Sequence, residues 1–262
     1  MLGSRKSTGR IAALVLALAS LAPISHAQIT DAVFSANVVG VQKLSATPGL
    51  TMAATPFEED LQDLNAVIGP QLFGSNNFNT ADNILLWNPG DQQYILFFLA
   101  GDVGGGFSRK WISVNPFGIA TNEIFPGEGM FIRNRQANTQ TVVVAGDVFL
   151  DPTNLQAIIP GFQLLSYPYS AEIGMNSTTF TNGGLGSNNF TTADNIFLWD
   201  ADDQQYQLFF LAGDVGGGFS HKWISVNPFG IATNVIQPGQ AFWYRHKGIG
   251  FDWVELSPYP NL

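Results

Sequence analysis

Few residues in this chain could carry acid–base or metal chemistry. There is no cysteine, and the histidines are His26, His221 and His246. Without cysteine, disulfides and thiolate metal sites are excluded. His221 and His246 lie in the second of two internal copies, and the matching positions of the first are Arg109 and Asn134. A histidine triad or zinc site needs partners at workable spacing. None accompanies them, so each is read as an ordinary surface histidine. Glu58-Glu59 and Asp202-Asp203 pair carboxylates, but neighbours in a turn or at a helix start do not flank a substrate as a glycosidase pair must. GDVGGGF, at 101–107 and again at 213–219, invites a phosphate-loop reading. It lacks the Gly-Lys-Ser/Thr ending and a following helix, so a turn needing positive φ is expected. Asn76, Asn77, Asp82, Asn83, Asp102, Asp200, Asp202 and Asp203 offer oxygens of the kind calcium takes. The Asp200 run lacks the glycine of a calcium loop, and solvated turns are the expected role. No set of base and nucleophile recurs in both copies. The chain reads as non-enzymatic, with no cofactor and no metal.

The remaining candidate is aromatic. Trp111 and Trp223 sit beside Lys110 and Lys222, next to the Gly-rich turn with Asp102 and Asp214. A flat ring flanked by Asp, Asn and Lys suits a sugar or another protein. The six residues Trp111, Lys110, Asp102, Trp223, Lys222 and Asp214 are therefore the candidate ligand-binding set. The competing expectation is that the loop folds over each ring and buries it, as tryptophan is highly buried on average.

What must position these residues is a repeat. GSNNFNTADNILLWNPGDQQYILFFLAGDVGGGFSRKWISVNPFGIATN runs from Gly74 to Asn122. GSNNFTTADNIFLWDADDQQYQLFFLAGDVGGGFSHKWISVNPFGIATN runs from Gly186 to Asn234. Without a gap, 42 of 49 positions agree at an offset of 112. The offset continues weakly outside: Pro48-Gly49 matches Pro160-Gly161, and Pro126-Gly127 matches Pro238-Gly239. The duplicated unit is about 36–147 and 148–259. Two readings of the near-identical centre stand: recent recombination, or a surface that both copies must present.

Each copy reads as short strands. In the first they are Val38–Leu44, Leu50–Thr55, Asn83–Trp87, Gln93–Leu99, Lys110–Val114, Gly129–Arg133 and Thr141–Val144, punctuated by Gly, Pro, Asn and Asp. Asn88-Pro89-Gly90-Asp91 predicts a hairpin turn. Thr55, Pro56 and Glu58 predict a capped helix with Leu61, Leu64 and Ile68 on one face, stopped at Gly69-Pro70. The equivalent Ser170–Gly184 stretch reads as loop. Ile95 becomes Gln207, while Tyr94, Leu96 and Phe98 recur unchanged. Strand neighbours point to opposite faces, so Tyr94, Leu96, Phe98, Ile112 and Val114 are expected to face the core, and Ile95 and Trp111 the wetter side. The fold class expected is all-β: two tandem homologous β-sandwich or barrel-like units with one short helix in the first.

GFQLLSYPYS (161–170), NIFLWDADDQQY (195–206) and IQPGQAFWYR (236–245) resemble a module of bacterial secreted β-rich repeat proteins that are functionally uncharacterised. Its marks are a strand ending hydrophobic-x-Pro, a Trp-Asn/Asp hairpin ending in Tyr, and Pro-Gly-x-Gly-aromatic. The first copy shows them as GLTMAATPF (49–57), NILLWNPGDQQY (83–94) and FPGEGMFIRNR (125–135), and TVVVAGDV (141–148) resembles its closing strand. Departures are Leu50 and Phe162 in place of Trp, and Ala241 in place of Gly. The resemblance implies a β-rich exported repeat and no activity.

Composition sets the class of partner. Charged residues are 12% of the 262, about half the usual share, while 45% are hydrophobic, so the chain is not disordered. Arg5, Lys6 and Arg10, the apolar run Ile11–Ala22 and the small-x-small site Ser25-His26-Ala27 read as a signal peptide over 1–27. The run is too short to span a bilayer, which takes about 20 residues. Unit 1 is then 28–147 and unit 2 is 148–262. Beyond residue 27 there remain eight Lys/Arg against 20 Asp/Glu, and such an acidic chain does not bind nucleic acid.

An exported, non-catalytic structural or adhesive protein, periplasmic or at the cell surface, is the leading expectation. A carbohydrate-binding module and an outer-membrane β-barrel are the alternatives. The expected partners are a polysaccharide or another surface protein, without membrane insertion, and the strand edges allow self-assembly.

Overall fold

The structure, a computed structural model, describes residues 38–259. The segment read as a signal peptide lies outside the described residues. Within them the chain is almost entirely antiparallel β. The first copy supplies β1 (Val39–Ala46), β2 (Gly49–Ala54), β3 (Phe57–Glu58), β4 (Asn83–Asn88), β5 (Gln93–Leu99), β6 (Trp111–Val114), β7 (Phe117–Ile119), β8 (Gly129–Asn134) and β9 (Gln140–Val148). The second supplies β10 (Thr153–Ile158), β11 (Gly161–Ser166), β12 (Ile173–Gly174), β13 (Asn195–Asp200), β14 (Gln205–Leu211), β15 (Trp223–Ser225), β16 (Gly230–Ile231), β17 (Val235–Ile236), β18 (Ala241–His246) and β19 (Phe251–Leu256). All seven strands read in the first copy are present.

Each half contains one open six-stranded sheet, ordered β2-β8-β4-β5-β6-β7 and β11-β18-β13-β14-β15-β16. The registers repeat at the same offset: Gly49 faces Asn134 as Gly161 faces His246, and Asn83 faces Phe98 as Asn195 faces Phe210. A smaller layer, β1-β9-β3 in one half and β10-β19 in the other, packs on one face of each. In the first half Leu44, Val142 and Val144 of the small layer meet Ile84, Phe97, Leu99 and Trp111 of the large sheet. In the second Ile158 and Trp253 meet Ile196, Phe209, Leu211 and Trp223. Two apolar sheet faces removed from water in this way form a sandwich core.

The helix starts later than the capping box predicts. The Thr55 hydroxyl accepts the Phe57 N–H at 3.3 Å, and Phe57 and Glu58 pair with Val148 and Asp147 as β3. Burying the Phe57 ring in the core holds these residues extended. The helix α1 spans Leu64–Val67 alone, capped by Asp63, whose carboxylate accepts the N–H groups of Asn65 and Ala66. Leu64 and Ile68 are buried as read, and Leu61 is exposed. The Ser170–Gly184 stretch of the second half holds β12 and two short 3-10 turns that bury Met175 and Phe180.

The two halves are not separate bodies: the described residues, 38–259, belong to one compact unit. The face of each large sheet opposite its own core packs partly on the other half. Met52, Ala54 and Phe131 meet Leu164, Ala241 and Trp243, flanked by Trp87 and Trp199. The contacts exchange reciprocally. Trp87 donates its indole N–H to Phe162 O at 2.7 Å, and Trp199 donates to Leu50 O at 2.8 Å. Gln92 bonds both backbone groups of Phe162, and Gln204 both of Leu50. The Ala54 N–H reaches Gly239 O, and the Ser166 N–H reaches Gly127 O. Every such pair maps onto the other at the repeat offset, so the halves meet as a like-with-like, pseudo-two-fold interface within one chain.

Candidate functional site

The Gly-rich turn has the conformation its sequence demands. Gly104 and Gly105 have φ of 74° and 63°, and Gly216 to Gly218 are also positive. Asp102, Lys110, Asp214 and Lys222 are exposed around it. The tryptophans are not. Trp111 and Trp223 are both 0% exposed, at the centre of their sandwich cores. Trp111 donates its indole N–H to Gly69 O at 3.0 Å, and its backbone N–H goes to the Asn65 side chain. The Trp223 backbone N–H goes to Asn176, and its indole N–H has no hydrogen-bond partner among the described residues. Trp111, Lys110, Asp102 and their copies Trp223, Lys222 and Asp214 therefore do not form an exposed aromatic platform.

The face assignment behind that platform is inverted. Ile95, Phe97, Leu99 and Trp111 face the core, and Tyr94, Leu96, Phe98 and Ile112 face outward. Ile95 can become Gln207 because it lies in the first half of its strand, at the margin of the core. Further along, Phe97 and Leu99 are both fully buried. The outward face is apolar as well, because part of it packs on the other half and part forms a cluster of Phe98, Ala100, Ile112 and Ala81.

His246 also departs from its expected role. It is 2% exposed, with Nδ1 2.8 Å from Asp194 Oδ2 and Nε2 2.7 Å from Ile249 O. Asp194, fully buried, also accepts the Tyr244 hydroxyl and the N–H groups of Leu185 and Lys247, each at 2.7 Å. Burial and the adjacent Asp194 hold the Tyr244 phenol well above its ordinary value. Asp82 does the same work in the first half, accepting Phe73 N–H, Arg135 N–H and the Gln140 amide. Asp82 and Asn83, read as solvated turn residues, are thus 0% and 1% exposed. These carboxylates tie three chain segments together. The signal for it was the Ala-Asp-Asn triplet shared at 81–83 and 193–195. His221 is exposed, in keeping with its reading.

Elsewhere the shared block is presented to solvent. Phe117 and Phe229 are each 72% exposed, and each stacks on a phenylalanine of the Gly-rich turn: Phe107 at 6.1 Å and Phe219 at 6.3 Å between centroids. Beside Phe229, the strands β14 and β15 part company. They pair only over 209–211, with one further bond from Val226 N–H to Leu208 O. Beyond that point a groove of about 610 Å³ opens, lined by Asp200, Asp203, Gln205, Gln207, Asn227 and Phe229 among others. Among the described residues no group of three or more His, Cys, Asp or Glu is placed to hold a metal ion.

No family profile, curated protein or solved structure matches the chain.

Proposed function

We propose that the chain is an exported, non-catalytic surface protein, structural or adhesive, that presents the same face twice. One observation carries this reading: several large apolar side chains recur in both halves at matching solvent-exposed positions. Phe117 and Phe229, Ile119 and Ile231, and Val114 and Val226 match in identity and in exposure (72%, 43% and 38%). A core requires none of these side chains, and exposed apolar groups that persist in pairs fit a surface that engages a partner. The leader-like start, the acidic balance and the resemblance to exported repeat modules support export. The open sheet edges at β7 and β16 favour this reading over a membrane barrel, in which every strand edge is paired.

Fractionation of the native cells tests the proposal. Chain found at the cell surface, in the envelope or in the medium, shortened by its leader, is the expected result. Full-length chain confined to the cytoplasm overturns it.

A further inference from the structure

The chemistry of the groove beside Phe229 points to a ligand. Strand β14 begins at Gln205, four residues before Phe209, the first of its residues paired with β15, and residues 205–207 have a strand partner only in β13. The chain leaving β15 turns away through the cis Asn227–Pro228 peptide into β16 and the 232–234 segment. The V-shaped space between holds about 610 Å³, within the range of small-ligand sites.

Its lining combines three features. Gln205, Gln207, Asn227 and Asn234 bring planar amides, each both donor and acceptor. Phe229 brings an exposed ring, held by stacking on Phe219. Asp200 and Asp203 bring carboxylates, with no Lys, Arg or His among the lining residues. Asp200 uses Oδ1 to accept the N–H groups of Asp202 and Asp203, and Gln207 is held by the Asn234 amide at 3.1 Å. Amides and carboxylates recognise vicinal hydroxyls, and an aromatic face takes the C–H side of a sugar ring. Two carboxylates without a cation repel phosphate, sulfate and uronate groups.

We infer that this groove binds a neutral polysaccharide, resting on the surface-protein reading above. The first half holds equivalents at Asp91, Gln93, Asn115, Phe117 and Asn122, but Asn88 replaces Asp200 and Ile95 replaces Gln207. It is the weaker of two like sites, and two sites on one chain raise retention on a polymer through multivalency.

Electrophoresis of the secreted chain through gels carrying xylan, β-glucan, starch or dextran tests this, with alginate and heparin gels as anionic controls. Retardation on at least one neutral polymer and on neither anionic one is expected. Phe229→Ala and Asn227→Ala should each weaken that retardation about tenfold, the scale of one lost stacking or hydrogen-bonding partner. Phe117→Ala should weaken it less, Phe117→Ala with Phe229→Ala should abolish it, and Ile95→Gln should strengthen it. Unchanged thermal unfolding of the exposed-residue variants shows that the fold is intact. Free migration on every neutral polymer, retardation only on the anionic gels, or full retardation of the double phenylalanine variant overturns the inference. A chain that fractionates to the surface yet migrates freely would sink this inference alone.

Discussion

Ala241 and Gly129 are equivalent positions that differ between the copies, and the pseudo-two-fold interface explains why. A Cβ built on Gly129 would lie 2.7 Å from the Ala241 Cβ and 2.9 Å from Leu164 Cγ. The two positions meet across the interface, and there is room for one methyl group. Gly129→Ala should therefore destabilise the chain by about 1–3 kcal/mol through overpacking. Adding Ala241→Gly should restore part of that loss, since the approach to Leu164 Cγ remains, a coupling readable in a double-mutant cycle by chemical denaturation. Additive effects would show that the two sites do not touch. Gly49 and Gly161 are constrained in a related way: both have positive φ, 98° and 107°, and a Cβ on either would meet the glutamine of the opposite half at 2.7 Å.

Glu255 sets an acid–base dependence. It is 3% exposed and accepts bonds from the Thr179 N–H, the Thr179 hydroxyl and the Trp253 indole. Burial nevertheless raises its carboxyl above the ordinary 4.5. A raised folded-state value means the stability is fully present below the unfolded value of about 4.5 and is lost as pH rises through the folded one. Thermal melts should show the wild type losing more stability than Glu255→Gln as pH rises above about 4.5. Parallel pH profiles would remove Glu255 as the cause.

Among the elements, β6 and β15 are the ones whose role changed most between sequence and structure. Their tryptophans anchor the sandwich cores, so Trp111→Ala should cost about 3–5 kcal/mol, the range for deleting a buried large aromatic side chain. Trp223→Ala should cost a similar amount, less whatever its unpartnered indole N–H already loses. Against a typical total stability of about 5–15 kcal/mol, either loss is large. Denaturant midpoints that stay near wild type for both variants would contradict the burial. The short helix α1 illustrates a different competition. The local capping box and the long-range pairing of Phe57 with Val148 offered alternatives for the same residues, and pairing with burial prevailed. The hairpin turns at 88–91 and 200–203 were legible as turns, but the glutamines that follow them were not legible as contacts. Gln92 and Gln204 adopt φ of 52° and 50° and reach across to the other half.

For the whole molecule, the shared cluster and the exchanged hydrogen bonds join the halves into one cooperative body. Calorimetry should show a single unfolding transition whose calorimetric and van't Hoff enthalpies agree. Two resolved transitions would mean that each half keeps its fold without the other. The reciprocity also bears on the duplication. An isologous interface is one that two identical copies make, and here the copies are fused through the short connection Phe149–Pro152 between β9 and β10.

The amino-acid sequence by itself determined the repeat and its offset, the all-β class, the seven strands of the first copy, the hairpin turns, the positive-φ turn at GDVGGGF and the absence of disulfides. These follow from local rules: which residues tolerate extended or left-handed backbone, and where glycine, proline and asparagine interrupt them. Only the tertiary structure decided which face of β5 and β6 turns inward, that His246 is buried on Asp194, and that Trp87 serves the neighbouring half while Trp111 serves its own. A period of two separates the faces of a strand but does not rank them when both are apolar and both are covered. Contacts 149 or 154 residues apart, such as Trp199 or Gln204 with Leu50, leave no local trace at all.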